Sequence, residues 1–202
     1  MVDNGCFEIK SKIKNGLLDF DNSEILRINQ ALGLVDHAEW ETFVELFGFW
    51  SFAGTLDATT RTVQFGKGKD HDLSFARSSL NFLGIPSEQR GKTIVVGNQS
   101  TLTLKVEAFV NLFFDEYQEA TSFAQEETSK WLPHWVWNLG KSDARLFLRG
   151  ACRADGADSE KNGAIHTLST IVRDQLIRLA LHAGYSPMGS LQYPKGACQG
   201  IT

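Results

Sequence analysis

The chain has 202 residues, and its 42% hydrophobic and 22% charged content is typical of a globular protein, which excludes a largely disordered chain. The formal net charge of -4 excludes a uniformly basic nucleic-acid-binding protein but leaves room for a local basic groove. Three cysteines without metal-ligand spacing indicate free thiols in a reducing, intracellular compartment, nuclear or cytoplasmic. The chain starts without an apolar signal core and has no apolar run long enough to cross a membrane, so we expect no membrane partner.

The first part of the chain predicts alternating helices and hairpins. Residues 1–38 form a predicted lead-in with a short helix from Ser23, capped by Ser23 or Asn22. A strongly apolar helix is predicted from Glu39 to Gly54. The periodicity then predicts a hairpin over 55–65, an amphipathic helix over 70–83, a second hairpin with strands 92–96 and 101–106, and a helix over 107–117.

The second part predicts a shorter series of the same elements. Residues 118–130 are predicted to form a helix or a linker. The tryptophans at 131, 135 and 137 (Trp131, Trp135 and Trp137) are expected to pack in the core rather than stack on bases. We predict a helix over 142–154 with Ser142 as its N-cap, a strand over 164–169, a helix over 170–182 and a strand over 185–193.

Two glycine pairs indicate an internal duplication. Gly48 and Gly54 are six residues apart, as are Gly150 and Gly156, and 102 residues separate the pairs. The period is longer than that of a solenoid, so it indicates one pseudo-symmetric domain. The second glycine helix also carries small residues along one side. The two glycine-bearing helices are therefore expected to pack closely against each other.

The segments GFWSFAGTLD (48–57) and LRGACRADG (148–156) resemble the two motifs of LAGLIDADG homing endonucleases. Residues 132–185 are similar to the endonuclease domains embedded in inteins of eukaryotes and their large viruses, and the resemblance spans roughly 39–193. It implies an α+β fold of two pseudo-symmetric αββαββ(α) repeats, whose antiparallel sheets form a saddle over double-stranded DNA. The implied organisation is a monomer with a lead-in at 1–38, repeats at 39–117 and 138–202, the second one C-terminally short, and a linker at 118–137.

The resemblance also implies which residues do the chemistry. In the family, the acid that ends each motif helix helps to hold Mg²⁺ or Mn²⁺ for phosphodiester hydrolysis. Asp155 matches the second acid, whereas Ala53 stands where the first acid belongs, so we expect cleavage to be impaired. Gly54 and Ala154 flank these positions and complete the expected metal site. Asp57 could replace the missing acid, but it is expected to lie in a turn.

Basic and amide side chains are the remaining candidates. Lys105, expected at the end of a fourth strand, and the symmetric pair Lys92 and Lys195 are candidates to polarise the attacking water. DNA contacts are expected from alternate positions on the sheet faces, where arginine and amide groups read bases and lysine meets phosphates. These candidates are Arg61, Gln64, Lys67, Lys69, Arg90, Asn98, Gln99, Lys161, His166 and Gln192. His166 can equally be a sheet residue without a role.

The sequence leaves three functional interpretations open. The chain lacks the opening nucleophile and closing His-Asn of an intein, so no splicing module is expected. The leading interpretation is an intein-type homing endonuclease domain that binds a long, specific duplex site. The alternatives are a catalytically dead DNA-binding domain and a structural insertion that binds no DNA.

Overall fold

A computed structural model describes residues 23–66, 73–97, 103–122, 132–155, 163–167 and 169–188, with only the backbone of 116–122 and 155. The α+β class predicted from the sequence is confirmed. The described helices are α1 (Ser23–Leu32), α2 (His37–Ala53), α3 (Leu73–Phe82), α4 (Leu104–Ser122), a 3₁₀ helix (His134–Asn138), α5 (Lys141–Asp155) and α6 (Thr170–His182). The strands are β1 (Gly54–Asp57), β2 (Thr62–Phe65), β3 (Glu88–Arg90) and β4 (Thr93–Val96). None of the described helices is long and apolar enough to cross a membrane.

Helix α2 is the central element of the core. The Asp36 carboxylate caps its start by accepting a hydrogen bond from the Glu39 N–H at 2.9 Å. Apolar residues surround the helix, and it is buried on nearly every side. It ends at Gly54, where the chain turns directly into β1, and a Cβ there would overlap the Trp50 indole. Only glycine therefore lets Trp50 cover the junction between helix and strand.

The four strands form one antiparallel sheet in the order β1-β2-β4-β3. Residues paired across strands lie on the same face, and faces alternate along each strand. The face built from Leu56, Val63, Phe65, Ile94 and Val96 is apolar and packs on the helices. The opposite face is mostly polar. Its residues are Thr55, Asp57, Thr62, Gln64, Glu88, Arg90, Thr93 and Val95.

Aromatic rings fill the space between α2 and its neighbours. Phe47 lies 4.8 Å from Phe113 of α4 and 5.0 Å from Trp135 of the 3₁₀ helix, measured between ring centroids. Trp135 is 1% exposed, so the expectation that it packs in the core is confirmed. Trp137 is partly buried against the same core, and Trp131 lies outside the described residues. The segment before α5 thus joins the second part of the chain to the core of the first.

The second hairpin lies one strand earlier in the chain than the sequence predicted. The observed hairpin joins β3 to β4 through Gly91, whose φ is +59°, and 104–106 lie in α4 rather than in a strand. Thr103 caps the start of α4, because its hydroxyl accepts from the Val106 N–H at 3.3 Å and its carbonyl from the Glu107 N–H at 2.9 Å. The alternation in TLTLKV was misleading because Val106, Phe109 and Phe113 follow helical spacing.

The predicted strands of the second repeat are also wrong where the structure describes them. Residues 164–167, 169 and 185–188 form no strand, and 189–193 lie outside the described residues. Ser169 instead caps α6, its hydroxyl accepting from the Val172 N–H at 3.3 Å, while Thr167 accepts from the Ser169 N–H at 3.2 Å. Such local side-chain bonds compete with a strand ladder. Helix α5 begins at Lys141, so Ser142 lies in its first turn and is not the N-cap.

Helices α2 and α5 cross at backbone contact. A Cβ on Gly48 would overlap the Phe147 carbonyl oxygen, and a Cβ on Gly150 would overlap that of Glu45. Each glycine thus meets the carbonyl three residues before the other glycine, as a two-fold relation between the helices requires. The helices run in the same direction, because the Trp40 indole N–H near the start of α2 donates to Asp143 near the start of α5 at 2.9 Å.

We expect Gly150→Ala to lower the free energy of unfolding by about 1–3 kcal/mol or more, because the added methyl group would push α5 away from α2. Gly140→Ala is the matched control, since nothing lies within 4 Å of its Cβ position. That control should stay within about 1 kcal/mol of the parent. Urea unfolding of both variants measures the effect, and equal stabilities would contradict the close crossing.

Candidate functional site at the ends of the paired helices and on the sheet

The parallel packing of α2 and α5 brings their C-terminal ends to the same side of the molecule. Ala53 lies five residues past Gly48, and Asp155 lies five residues past Gly150. Both positions therefore stand at the same height above the crossing. Ala53 and Ala154 are each 3% exposed. The structure thus brings Ala53, Gly54, Ala154 and Asp155, the residues expected to form the metal site, to one end of the helix pair.

The α2 side of this end does not fit a divalent cation. The Ala53 methyl group offers no ligand, and its carbonyl oxygen already accepts the Gly66 N–H at 2.8 Å. Mg²⁺ and Mn²⁺ prefer several oxygen ligands that include carboxylates. Within the described residues no three His, Cys, Asp or Glu side chains lie close enough to hold a metal ion. The Asp155 side chain lies outside the description, so the sequence alone assigns its carboxylate to this end.

The Asp57 carboxylate is engaged in the hairpin between β1 and β2. It accepts hydrogen bonds from the Thr59 N–H at 2.9 Å and the Thr60 N–H at 3.2 Å, in the turn between β1 and β2. Hydrogen bonds from the Thr60 backbone and hydroxyl, with one from Thr59, lower the pKa of Asp57. Its carboxylate fixes the hairpin turn from the end of β1, whereas the sequence placed the residue in the turn itself.

A buried carboxylate links the two helices beside the glycine crossing. Glu45 of α2 is 6% exposed and accepts hydrogen bonds from two arginines of α5. Arg149 donates through Nε at 2.7 Å and also through Nη2, and Arg153 donates through Nε at 2.9 Å. The Arg153 guanidinium in turn lies 4.8 Å from the Phe75 ring centroid. This network, hereafter the seam ion pair, holds α5 against α2. Its acid lies eight residues, about two turns, before Ala53.

The seam ion pair was not predicted from the sequence. Its signal was Glu45, the one acid in the apolar run from Phe43 to Trp50, together with two arginines four residues apart on α5. A carboxylate inside an apolar helix is costly to bury unless a cation meets it, so it indicates a partner on the facing element. The network also breaks the internal symmetry, because the position of α5 equivalent to Glu45 is Phe147.

Two of the three candidate lysines lie within the described residues. Lys105 lies in the first turn of α4, not at a strand end, and its ammonium group lies 3.9 Å from the Cβ position of Gly84 at the end of α3. Lys92 is exposed in the turn between β3 and β4. Lys195 lies outside the described residues. No described contact connects Lys92 or Lys105 with Ala53.

Two of the predicted DNA contacts lie on the polar face of the sheet. Gln64 is half-buried on β2, and Arg90 is exposed on β3, where it pairs with Glu88 at 2.9 Å. Arg61 lies in the neighbouring turn, donates to the Asn111 side chain at 2.8 Å and stacks on Phe114. His166 is exposed but lies in no strand. The remaining predicted contacts lie outside the described residues: Lys67, Lys69, Asn98, Gln99, Lys161 and Gln192.

We expect Glu45→Gln to lower the free energy of unfolding by about 1–3 kcal/mol, because two arginines lose their carboxylate at the helix crossing. The lower half of this range applies if water reaches Arg149, which is 52% exposed. Glu41→Gln is the control, with the same change of charge on the exposed side of α2. It should change stability by less than about 0.5 kcal/mol in chemical unfolding. Equal effects would show that the seam ion pair contributes nothing specific.

Comparison with known proteins gives one distant relation. No protein-family profile matches the chain, and no solved structure gives a significant match. The chain is 24% identical over 159 residues to a protein named ATP-dependent Clp protease proteolytic subunit from Chlamydomonas moewusii. The match covers 72% of this chain but only 14% of that protein. The chain is thus similar to a minor part of a much longer protein.

Proposed function

We propose that this chain is a DNA-binding domain of the LAGLIDADG homing-endonuclease type, of intein origin, whose cleavage is impaired by Ala53. The polar sheet face binds a long, specific duplex site. The joined ends of α2 and α5 lie where the two acids of an active relative would stand. Cleavage with Mg²⁺ or Mn²⁺ needs a carboxylate at both positions, and this sequence has one only at Asp155.

The observation that carries the proposal is the reciprocal glycine contact between α2 and α5. Residues 37–122 supply the element order αββαββα, in which one glycine-bearing helix precedes a four-stranded antiparallel sheet. A second such helix, 102 residues later, packs on the first in parallel with the same contacts. This arrangement supports an internal duplication, as the family resemblance implies. A structural insertion without a ligand would need neither the duplication nor a polar face on the sheet.

The distant relative supports an origin as an inserted element. Because the matched residues are only 14% of the Chlamydomonas moewusii protein, we infer that they correspond to an insertion within that protein and not to its proteolytic part. An embedded endonuclease domain would have this relation to its host protein. A proteolytic function for this chain has no support from the described residues.

We expect Ala53→Asp to restore metal-dependent cleavage of a supercoiled plasmid that carries the target site, because the second carboxylate completes a ligand pair across the helix ends. Ala53→Asn is the matched control of the same shape without the charge, and it should stay inactive. Adding Asp155→Asn to the restored variant should abolish the linear and nicked products. An Ala53→Asp variant that folds and binds its site but remains inert with Mg²⁺ and Mn²⁺ would contradict the two-acid site.

The melting temperature tests the same metal site without any measurement of cleavage. Two carboxylates close together repel each other, so Ala53→Asp should melt at a lower temperature than Ala53→Asn in the absence of metal. Mn²⁺ should raise the melting temperature of the aspartate variant and leave the asparagine variant unchanged, because binding to the native state stabilises it. The same shift in both variants would place the metal elsewhere.

The DNA-binding part of the proposal is tested by selecting binding sites from a random duplex library. We expect Gln64→Ala to relax specificity at one or two base pairs, at about 1–3 kcal/mol each, because an amide on the sheet face reads base edges. Gln30→Ala, on the exposed side of α1, should select the same site as the parent. A parent chain that selects no site and shows no salt-dependent DNA affinity would favour the structural insertion.

A further inference from the structure

Three cations form a surface where α5 begins and α6 ends. Lys141 and Arg145 lie one turn apart on α5, and Arg178 lies on the C-terminal half of α6. All three are exposed. We call these three residues the basic ridge. Helix α6 is tied here to the segment that precedes α5, because the His182 imidazole N–H donates to the Leu139 carbonyl oxygen at 2.6 Å.

Both arginines of the basic ridge rest on aromatic rings. The Arg145 guanidinium lies 5.3 Å from the Tyr185 ring centroid and donates through Nε to the Ala183 carbonyl oxygen at 2.8 Å. The Arg178 guanidinium lies 5.1 Å from the Trp137 ring centroid. Stacking on rings holds guanidinium groups in place without neutralising their charge. Lys141 lies beside them, against Gly184.

Among the residues that the structure describes, no acid pairs with a cation of the basic ridge. Asp143 is buried and bonded to Trp40, and Asp174 pairs with Arg173 at 2.7 Å. The carboxyl end of α6 supplies roughly half a negative charge. The end of α6 therefore offsets only part of the three positive charges of the basic ridge.

We propose that the basic ridge is a second, sequence-independent site for the phosphate backbone of duplex DNA. It rests on the proposed function for its partner but uses none of the residues of the cleavage site or the sheet face. Arginines fixed on rings present several donors that suit phosphate oxygens. Single-stranded DNA is a poorer match, because the faces of Tyr185 and Trp137 that meet the guanidinium groups are not open for base stacking.

The basic ridge is separate from the expected cleavage site. Lys141 is the first residue of α5 and Asp155 is the last, and a helix of 15 residues is roughly 22 Å long. A phosphate bound at the ridge is therefore far from the reacting bond. Its effect is to add affinity for any duplex, which lengthens the time spent on DNA outside the specific site.

The experiment measures the affinity of the full chain for a duplex of arbitrary sequence by fluorescence anisotropy, over a series of NaCl concentrations. The test variant is K141Q/R145Q/R178Q, and the control R27Q/R77Q/R173Q removes the same charge from exposed or half-exposed positions elsewhere. Each lost phosphate contact reduces the slope of log affinity against log salt by about 0.9, so the triple variant should be less steep by about 2 to 3. The control should keep the parental slope.

Several outcomes decide the inference. A test variant with the slope of the parent or of the control overturns it. Binding of polyglutamate as tightly as duplex DNA of equal charge also overturns it, because the partner is then an acidic protein. If the triple variant does not fold, Arg178→Gln alone, checked by circular dichroism, should reduce the slope by about 0.9. If the triple variant shows the expected loss of salt dependence but the parent selects no specific site, the proposed function is overturned and the inference about the basic ridge stands.

Discussion

The structure depends on the backbone contact between two helices at Gly48 and Gly150. Neither position has room for a side chain, because each faces a carbonyl oxygen of the opposite helix. This contact sets the distance between α2 and α5 and brings their last residues to one end. Everything assigned to the candidate site follows from that geometry, since Ala53 and Asp155 occupy equivalent places only if the helices run in parallel.

The two halves that meet at this contact are not equal. One surface of α2 packs against α4 through Phe47 and Phe113, and the apolar face of the sheet completes that core. On its other side, α2 contacts α5 through Glu45, which pairs with Arg149 and Arg153. This contact is not symmetric, because α5 has Phe147 at the position equivalent to Glu45. An apolar crossing alone would let either helix pair with a copy of itself. The seam ion pair favours the pairing of α2 with α5, because a second α2 would place Phe47 and Ser51 where Arg149 and Arg153 lie, and Glu45 would be buried without a cation.

In the proposed function, the sheet face and the basic ridge have different roles, and their charges differ accordingly. On the described sheet face, Arg90 pairs with Glu88, which neutralises its charge. This face is therefore better suited to reading bases through Gln64 than to attracting the DNA backbone in general. General attraction is assigned to the basic ridge, where Arg145 and Arg178 rest on aromatic rings and pair with no carboxylate of the described residues. Specificity and non-specific affinity would then arise on different surfaces of one chain.

The helix pair, the first hairpin and the buried Trp135 could be predicted from the sequence, because glycine spacing and apolar periodicity are local signals that tertiary packing reinforced. The sequence misplaced the second hairpin, where Thr103 caps a helix, and the strand before α6, where Ser169 does the same, because short alternating segments carry too little periodicity to outweigh a cap. The pairing of Glu45 with Arg149 and Arg153 became visible only in the folded chain. Those charges are 104 and 108 residues apart, and no local pattern specifies which distant cation meets a buried acid.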